Sequence, residues 1–194
     1  ALDRPYREDD ATGPVSAYGA SKLAGEQAVA ATTADHAILR TAWIYSPFGR
    51  NFVKTMLHLA ETRDEVGVVV DQAGGPTSAL DIADAIFAVA RNLAGRAQDT
   101  SLRGVFHMSA AGEAVWADVA EAIFAERERQ GGRPVRVRRI TTADYPAAAR
   151  RPANSRLDCG KLARAHDVRL PEWQDSLRAC VARLLEEQSE DQQR

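Results

Sequence analysis

Tyr18 and Lys22 stand four residues apart in Ala17-Tyr18-Gly19-Ala20-Ser21-Lys22-Leu23-Ala24-Gly25-Glu26. On a helix that spacing puts both side chains on one face, one turn apart. A phenol is a proton donor, and a neighbouring cation favours phenolate, drawing a tyrosine down from its ordinary value of about 10. Chemistry that protonates or deprotonates a sugar or alcohol oxygen near neutral pH needs such a group. The chain holds four tyrosines and only three lysines, Lys22, Lys54 and Lys161. Random placement would give this spacing in roughly 0.06 chains of the same composition. The bland alternative is a surface lysine on an alanine-rich helix, tied to Glu26 by an i,i+4 ion pair.

Alternating strands and helices must carry the pair. Pro14 and Ser16 signal a helix over about 16–31, closed by the polar stretch 32–35. The run Ala37-Ile-Leu-Arg-Thr-Ala-Trp-Ile-Tyr45 is apolar and β-branched, and Ser46-Pro47-Phe48-Gly49 breaks it, which predicts a buried strand followed by a loop. Helical spacing returns from Asn51 to about Glu61. Val66–Val70 predicts a short strand, Gly74–Thr77 a turn, and Ser78 or Asp81 a cap for a helix reaching about Leu93. Gly104–Ser109 predicts a strand, Val115–Arg129 a helix stopped by Gly131-Gly132, and Pro134–Ile140 a strand. After the proline-punctuated loop 146–156, helices are expected near 158–165 and 173–187, then a polar tail that frays. The alternation predicts an α/β fold with parallel strands.

Composition removes several classes of function. The 194 residues are 45% hydrophobic and 27% charged, with a formal net charge of -2, an ordinary globular balance. Arginine is dense only at Arg133-Pro-Val-Arg-Val-Arg-Arg139, where it alternates with valine as on one polar strand face, so no nucleic-acid partner is expected. Cys159 and Cys180 are isolated thiols suited to a reducing compartment, and the four histidines are scattered, so no metal site is expected. No apolar run reaches membrane-spanning length, and no signal peptide opens the chain. Ala1 begins a polar, loop-like stretch without an initiating methionine, as in the middle of a longer protein.

Tyr18-Gly-Ala-Ser-Lys22, Leu39-Arg-Thr-Ala-Trp43-Ile-Tyr45, Asn51-Phe-Val-Lys54, Asp71–Thr77, Leu80-Asp-Ile-Ala83 and Arg151-Pro-Ala-Asn-Ser-Arg-Leu157 follow one another in order. Together with Arg4–Asp10 ahead of the tyrosine, the series resembles the extended short-chain dehydrogenases/reductases. Within them it is most similar to the dTDP-4-dehydrorhamnose reductase family, over about residues 3–185. The resemblance implies the C-terminal portion of a Rossmann-like NAD(P)-binding fold with a smaller substrate-binding lobe. Residues 1–46 would end the dinucleotide-binding domain and 47–187 would form the lobe, with 79–109 returning to the Rossmann sheet and 188–194 fraying. The family's Gly-rich phosphate-binding turn and the Ser/Thr that assists its tyrosine do not occur in this sequence.

The implied chemistry is reduction of the C4 keto group of dTDP-4-dehydro-β-L-rhamnose with NADPH, NADH remaining open. By resemblance, Tyr18 gives the proton to the C4 oxygen, and Lys22 binds the nicotinamide ribose. Thr41 and Ala42 neighbour the nicotinamide, and the Trp43 ring packs on the deoxysugar, an indole being suited to a sugar's apolar C–H face. Asn51, Arg151, Asn154 and Arg156 are candidates for the dTDP diphosphate, since guanidinium forks match phosphate oxygens. Each has a plainer alternative: a core tryptophan for Trp43, turn-capping for the loop polar residues. The resemblance also implies a cytoplasmic enzyme without membrane attachment and allows a homodimer. Two rivals stay open: an NAD-dependent nucleotide-sugar epimerase or dehydratase, and a non-catalytic subunit like the regulatory one of methionine adenosyltransferase.

Overall fold

Ser16 begins the first helix as its sequence predicts: its extended backbone turns in, and its Oγ accepts the Gly19 N–H at 3.1 Å. In the computed structural model, which describes residues 2–145 and 151–192, α1 runs Ala17–Thr32 and leads into β1, Ala37–Arg40. The predicted strand 37–45 is in fact two pieces. Trp43 takes a left-handed φ of 47° and separates β1 from β2, Ile44–Tyr45. Nor is β1 fully buried, since all four of its residues are only half-buried.

Asn51 caps α2 (Phe52–Thr62), whose helical period buries Val53, Met56, Leu57 and Ala60 on one side. β3 (Glu65–Val69) alternates, with Val66 and Val68 buried. The predicted turn at 74–77 contains strand on both sides of Gly75-Pro76: β4 is Ala73–Gly74 and β5 is Thr77–Ser78. Ser78 then caps α3 (Ala79–Gly95), its Oγ accepting the Leu80 N–H. β6 (Gly104–His107), β7 (Ala114–Val115), α4 (Trp116–Arg129) and β8 (Arg136–Ile140) follow. Beyond residues 146–150, which lie outside the description, come β9 (Asn154–Ser155), α5 (Gly160–His166) and α6 (Trp173–Gln192). The tail expected to fray from 188 is therefore helical as far as Gln192.

Parallel pairing joins elements far apart in sequence. β1 pairs with β6, Ala37 opposite Gly104 and Arg40 opposite His107. β2 pairs with β5, and β3 with β8 from Glu65↔Arg136 to Val69↔Ile140. β4 lies between β7, antiparallel, and β9, parallel. Two apolar cores result. One joins α2, β3, α4 and α6, with Ile123, Phe124, Leu177 and Val181 at its centre. The other joins α3, β6 and α5 through Val89, Phe106, Met108 and Leu162, so α5 packs beside β6.

The arginine run is neutralised within the fold. Arg136 and Arg138 both reach Glu65, and Arg139 reaches Asp118 and Glu121. Among the described residues, no helix is long and apolar enough to cross a membrane.

Candidate active site

α1 buries none of its residues. Tyr18 stands on its first turn, 73% exposed, and the Lys22 Nζ lies 5.5 Å from the centre of the Tyr18 ring. The competing Lys22–Glu26 pair does not form. Glu26 instead accepts three hydrogen bonds from the Arg40 guanidinium at 2.6–3.0 Å. That fork ties the middle of α1 to the end of β1, and both elements then continue past it toward one edge. Tyr18 lies eight residues before Glu26, about 12 Å along the helix. Trp43 lies three residues beyond Arg40, past the end of β1. In an α/β unit a helix runs back along the strand it precedes, so the fork puts the N-terminal half of α1 on the side of the strand's C-terminal end, where α/β sheets take ligands.

On this edge Thr41 and Ala42 are half-buried, and the Thr41 Oγ is buried with no hydrogen-bond partner among the described residues. An orphaned hydroxyl just past the end of β1 is a group that the amide and ribose of a nicotinamide could satisfy. Nothing in the sequence supplies the Gly-rich turn that would hold the pyrophosphate. Tyr45, by contrast, is buried, and desolvation pushes its phenol far above the ordinary range, which leaves it no role as an acid. Neither thiol is activated: burial raises Cys159 and pushes Cys180 up to about 11.

Trp43 sits in an aromatic box. Its ring stacks on Trp116 with centroids 3.7 Å apart and planes 10° apart. Phe52 tilts against Trp116 at 4.5 Å. A Cβ on Gly74 would fall 2.5 Å from Trp43 Cε2 and 2.8 Å from each of Cδ2 and Nε1. Cδ2 and Nε1 are both bonded to Cε2, so equal distances to them place that Cβ above the ring plane. Gly74 and Trp116 cannot share one side of the indole at these separations, so they cover opposite faces. Both faces of the half-buried indole are thus covered by the protein, which leaves its rim.

The loop candidates divide. Asn154 is buried, and its amide is spent inside the protein: Nδ2 donates to the carbonyls of Leu2 and Arg4, while Oδ1 accepts from the Arg156 backbone N–H and Nε. Asn51 caps α2 and donates to the Ser46 carbonyl at 2.7 Å. Both side chains thus bond to the protein's own backbone. Arg156 is held at Nε by Asn154 and at one terminal nitrogen by Glu113, 3.1 Å away. It walls a cavity of about 330 Å³ with Pro5, Gly75, Ser109 and Glu113. Arg151 is exposed, next to the undescribed residues 146–150. Trp116, Gly74 and Glu113 were not anticipated. A tryptophan opening a helix and a Gly-Gly-Pro break each carry a signal, but nothing local links them.

The parallel strand pairs, the helices around them and a Tyr–Lys pair beyond a strand end define a Rossmann-like α/β protein. Residues 1–186 match the family described as RmlD substrate binding domain, and the chain belongs to that family. A dTDP-4-dehydrorhamnose reductase from Sinorhizobium fredii is 52% identical over 181 residues, 93% of this chain and 61% of the relative. The crystal structure of a dTDP-4-dehydrorhamnose reductase from Clostridium acetobutylicum superposes with a TM-score of 0.82 at 37% identity, covering 95% of this chain and 61% of that one. Another, from Bacillus anthracis in complex with NADP, gives 0.78 at 34% identity over the same shares, 95% and 61%. The chain therefore spans about 61% of the length of these relatives.

Proposed function

We propose that the full-length protein reduces the C4 keto group of dTDP-4-dehydro-β-L-rhamnose to dTDP-β-L-rhamnose with NADPH. The observation that carries this is the Lys22 ammonium 5.5 Å from the centre of the Tyr18 ring on an exposed helix face. Its support from outside is the likeness to reductases of that name.

When bound, NADPH supplies the hydride. As the C4 carbonyl carbon is reduced, its oxygen gains negative charge, and the Tyr18 hydroxyl donates its proton there. Solvent then returns a proton to the Tyr18 oxygen. Tyr18, Lys22, Thr41 and Ala42 would hold the nicotinamide and its ribose. The rim of Trp43 would touch the deoxysugar, and Arg156 and Arg151 would face the diphosphate. Asn154 and Asn51 contribute by shaping the loops that carry them. A homodimer and a cytoplasmic setting accord with this assignment.

Tyr18→Phe in the full-length protein tests it. The substitution removes the proton and keeps the ring beneath Lys22. Turnover of the keto sugar, followed as NADPH oxidation, should fall about 100-fold or more, the weight of a general acid. The Kd for NADPH should stay within about 3-fold, because only one hydroxyl is lost. Retained turnover would remove Tyr18 as the acid, and running the same assay with NADH measures cofactor preference.

A further inference from the structure

Trp43 is the one bulky residue among those described that sits squarely in a binding edge with a left-handed backbone, φ 47°. For a tryptophan that conformation is strained and persists only where surrounding contacts overrule it. Three contacts do so. The Thr77 N–H donates to the Trp43 carbonyl at 3.1 Å, which fixes the backbone. Gly74 lies against one face of the indole, and Trp116 stacks on the other.

The position of Trp116 is itself built in. β7 pairs with β4, Gly74 opposite Ala114 and Ala73 opposite Val115, which ties the start of α4, and with it Trp116, to the strand whose Gly74 touches the indole. Asp118 accepts the Val115 N–H at 3.0 Å and starts α4 at that point. Phe52, the first residue of α2, leans on the stack and keeps Trp116 from tilting away. A side chain gripped on both faces has one pose, and a single pose is what a recognition contact requires.

We propose that Trp116 is a positioning residue for the sugar subsite: it clamps Trp43 against Gly74 so that the indole rim is presented to the deoxysugar of the nucleotide sugar. This rests on the assignment of Trp43 to the sugar made above. Trp116 does its work through Trp43 and need not touch the ligand.

The test compares the sugar's contribution to binding in the full-length protein and in its Trp43→Ala, Trp116→Ala and Trp116→Phe variants. Calorimetry gives the Kd for dTDP and for dTDP-β-L-rhamnose, and their ratio isolates the sugar. Circular dichroism reads the exciton couplet of two stacked indoles. Trp116→Ala should lose the couplet and about 3–10-fold of the ratio, the range expected when an aromatic contact of this kind is lost, with the Kd for dTDP unchanged. Trp116→Phe should also lose the couplet yet keep the ratio, because a phenyl ring still stacks. A Trp116→Ala ratio equal to that of the unaltered protein, where Trp43→Ala has lost it, overturns the proposal alone. A ratio unchanged in Trp43→Ala removes the Trp43 assignment and the proposal with it. A ratio that Trp116→Phe fails to restore also counts against stacking as the cause. Should Trp116→Ala fail to melt cooperatively, Trp116→Leu, which fills the space without stacking, is read in its place.

Discussion

Gly74 has no side chain because Trp43 occupies the space where one would stand. An alanine Cβ there would meet Cε2 at 2.5 Å, well inside van der Waals contact. The indole cannot retreat, since Trp116 is stacked behind it at 3.7 Å. Gly74→Ala should therefore cost about 1–3 kcal/mol, the range for an overpacked site. It should also weaken the exciton signal of the two indoles; urea unfolding and circular dichroism check both, and an unaltered midpoint would show that the box has slack. Residue chemistry was legible where it is local. Tyr18 and Lys22 could be paired from sequence because helical spacing alone brings them together. Trp116 could not be matched to Trp43, 73 residues earlier, because their stack depends on the pairing of two-residue strands. The bonding of Asn51 and Asn154 was hidden for a related reason. An amide in a polar loop looks the same whether it awaits a ligand or already bonds its own backbone, and here both are taken up internally.

Among the elements, those with their own start signals were readable. Ser16, Asn51 and Ser78 each cap a helix whose apolar spacing follows at once. β3 showed itself as a short valine run and β8 by its alternation of arginine and valine. The two-residue strands β4, β5, β7 and β9 did not, because so short a segment has no period and gains its hydrogen bonds only from distant partners. The left-handed Trp43 that divides β1 from β2 was hidden for the opposite cause: its flanks are largely apolar, with Ile38, Thr41, Ile44 and Tyr45 suited to strand, so local preference favoured one unbroken strand. Asn154 shows how these short elements are stapled. Besides its bonds to Leu2 and Arg4, it sits beside the Tyr6↔Leu157 bridge, in which Tyr6 N–H donates to the Arg156 carbonyl and Asp158 N–H to that of Tyr6. Asn154→Ala leaves two carbonyls without their donors and frees the Arg156 Nε. A loss of about 1–3 kcal/mol is expected, concentrated in the segment 2–10. Faster hydrogen exchange at the Tyr6 amide, with exchange in α4 unchanged, is the expected sign; uniform acceleration would mean the staple is not local.

For the molecule as a whole, two buried imidazoles set the acid limit. His107 and His166 are 1% and 2% exposed. A carbonyl can only accept, so His107 Nδ1 donates to the Tyr6 carbonyl at 3.0 Å and His166 Nε2 to that of Leu102 at 3.2 Å, which fixes each ring as one neutral tautomer. Burial holds both below the usual histidine value, and for His107 the nearby Glu8 only partly offsets it. A second proton on His166 would land on Nδ1, which is buried and has no partner among the described residues. The sign follows from linkage. Above about pH 6.5, the unperturbed value, both rings are neutral folded and unfolded, and stability does not depend on them. As pH falls below that, the unfolded chain takes up protons that the folded one refuses, so stability drops until the depressed folded values are reached. Each ring can contribute a slope of up to about 1.4 kcal/mol per pH unit over that interval. Asp10 does not confuse the reading, because its pair with the Arg4 guanidinium holds it down to about 2. Urea unfolding at steps from pH 8 to pH 5 should be level to about pH 6.5 and then decline. His166→Gln, which keeps a donor toward the Leu102 carbonyl but cannot titrate, should remove the His166 share of the decline. Stability that stays level to pH 5 would mean that both imidazoles accept a proton in place, and that the enclosure drawn around them is open to water.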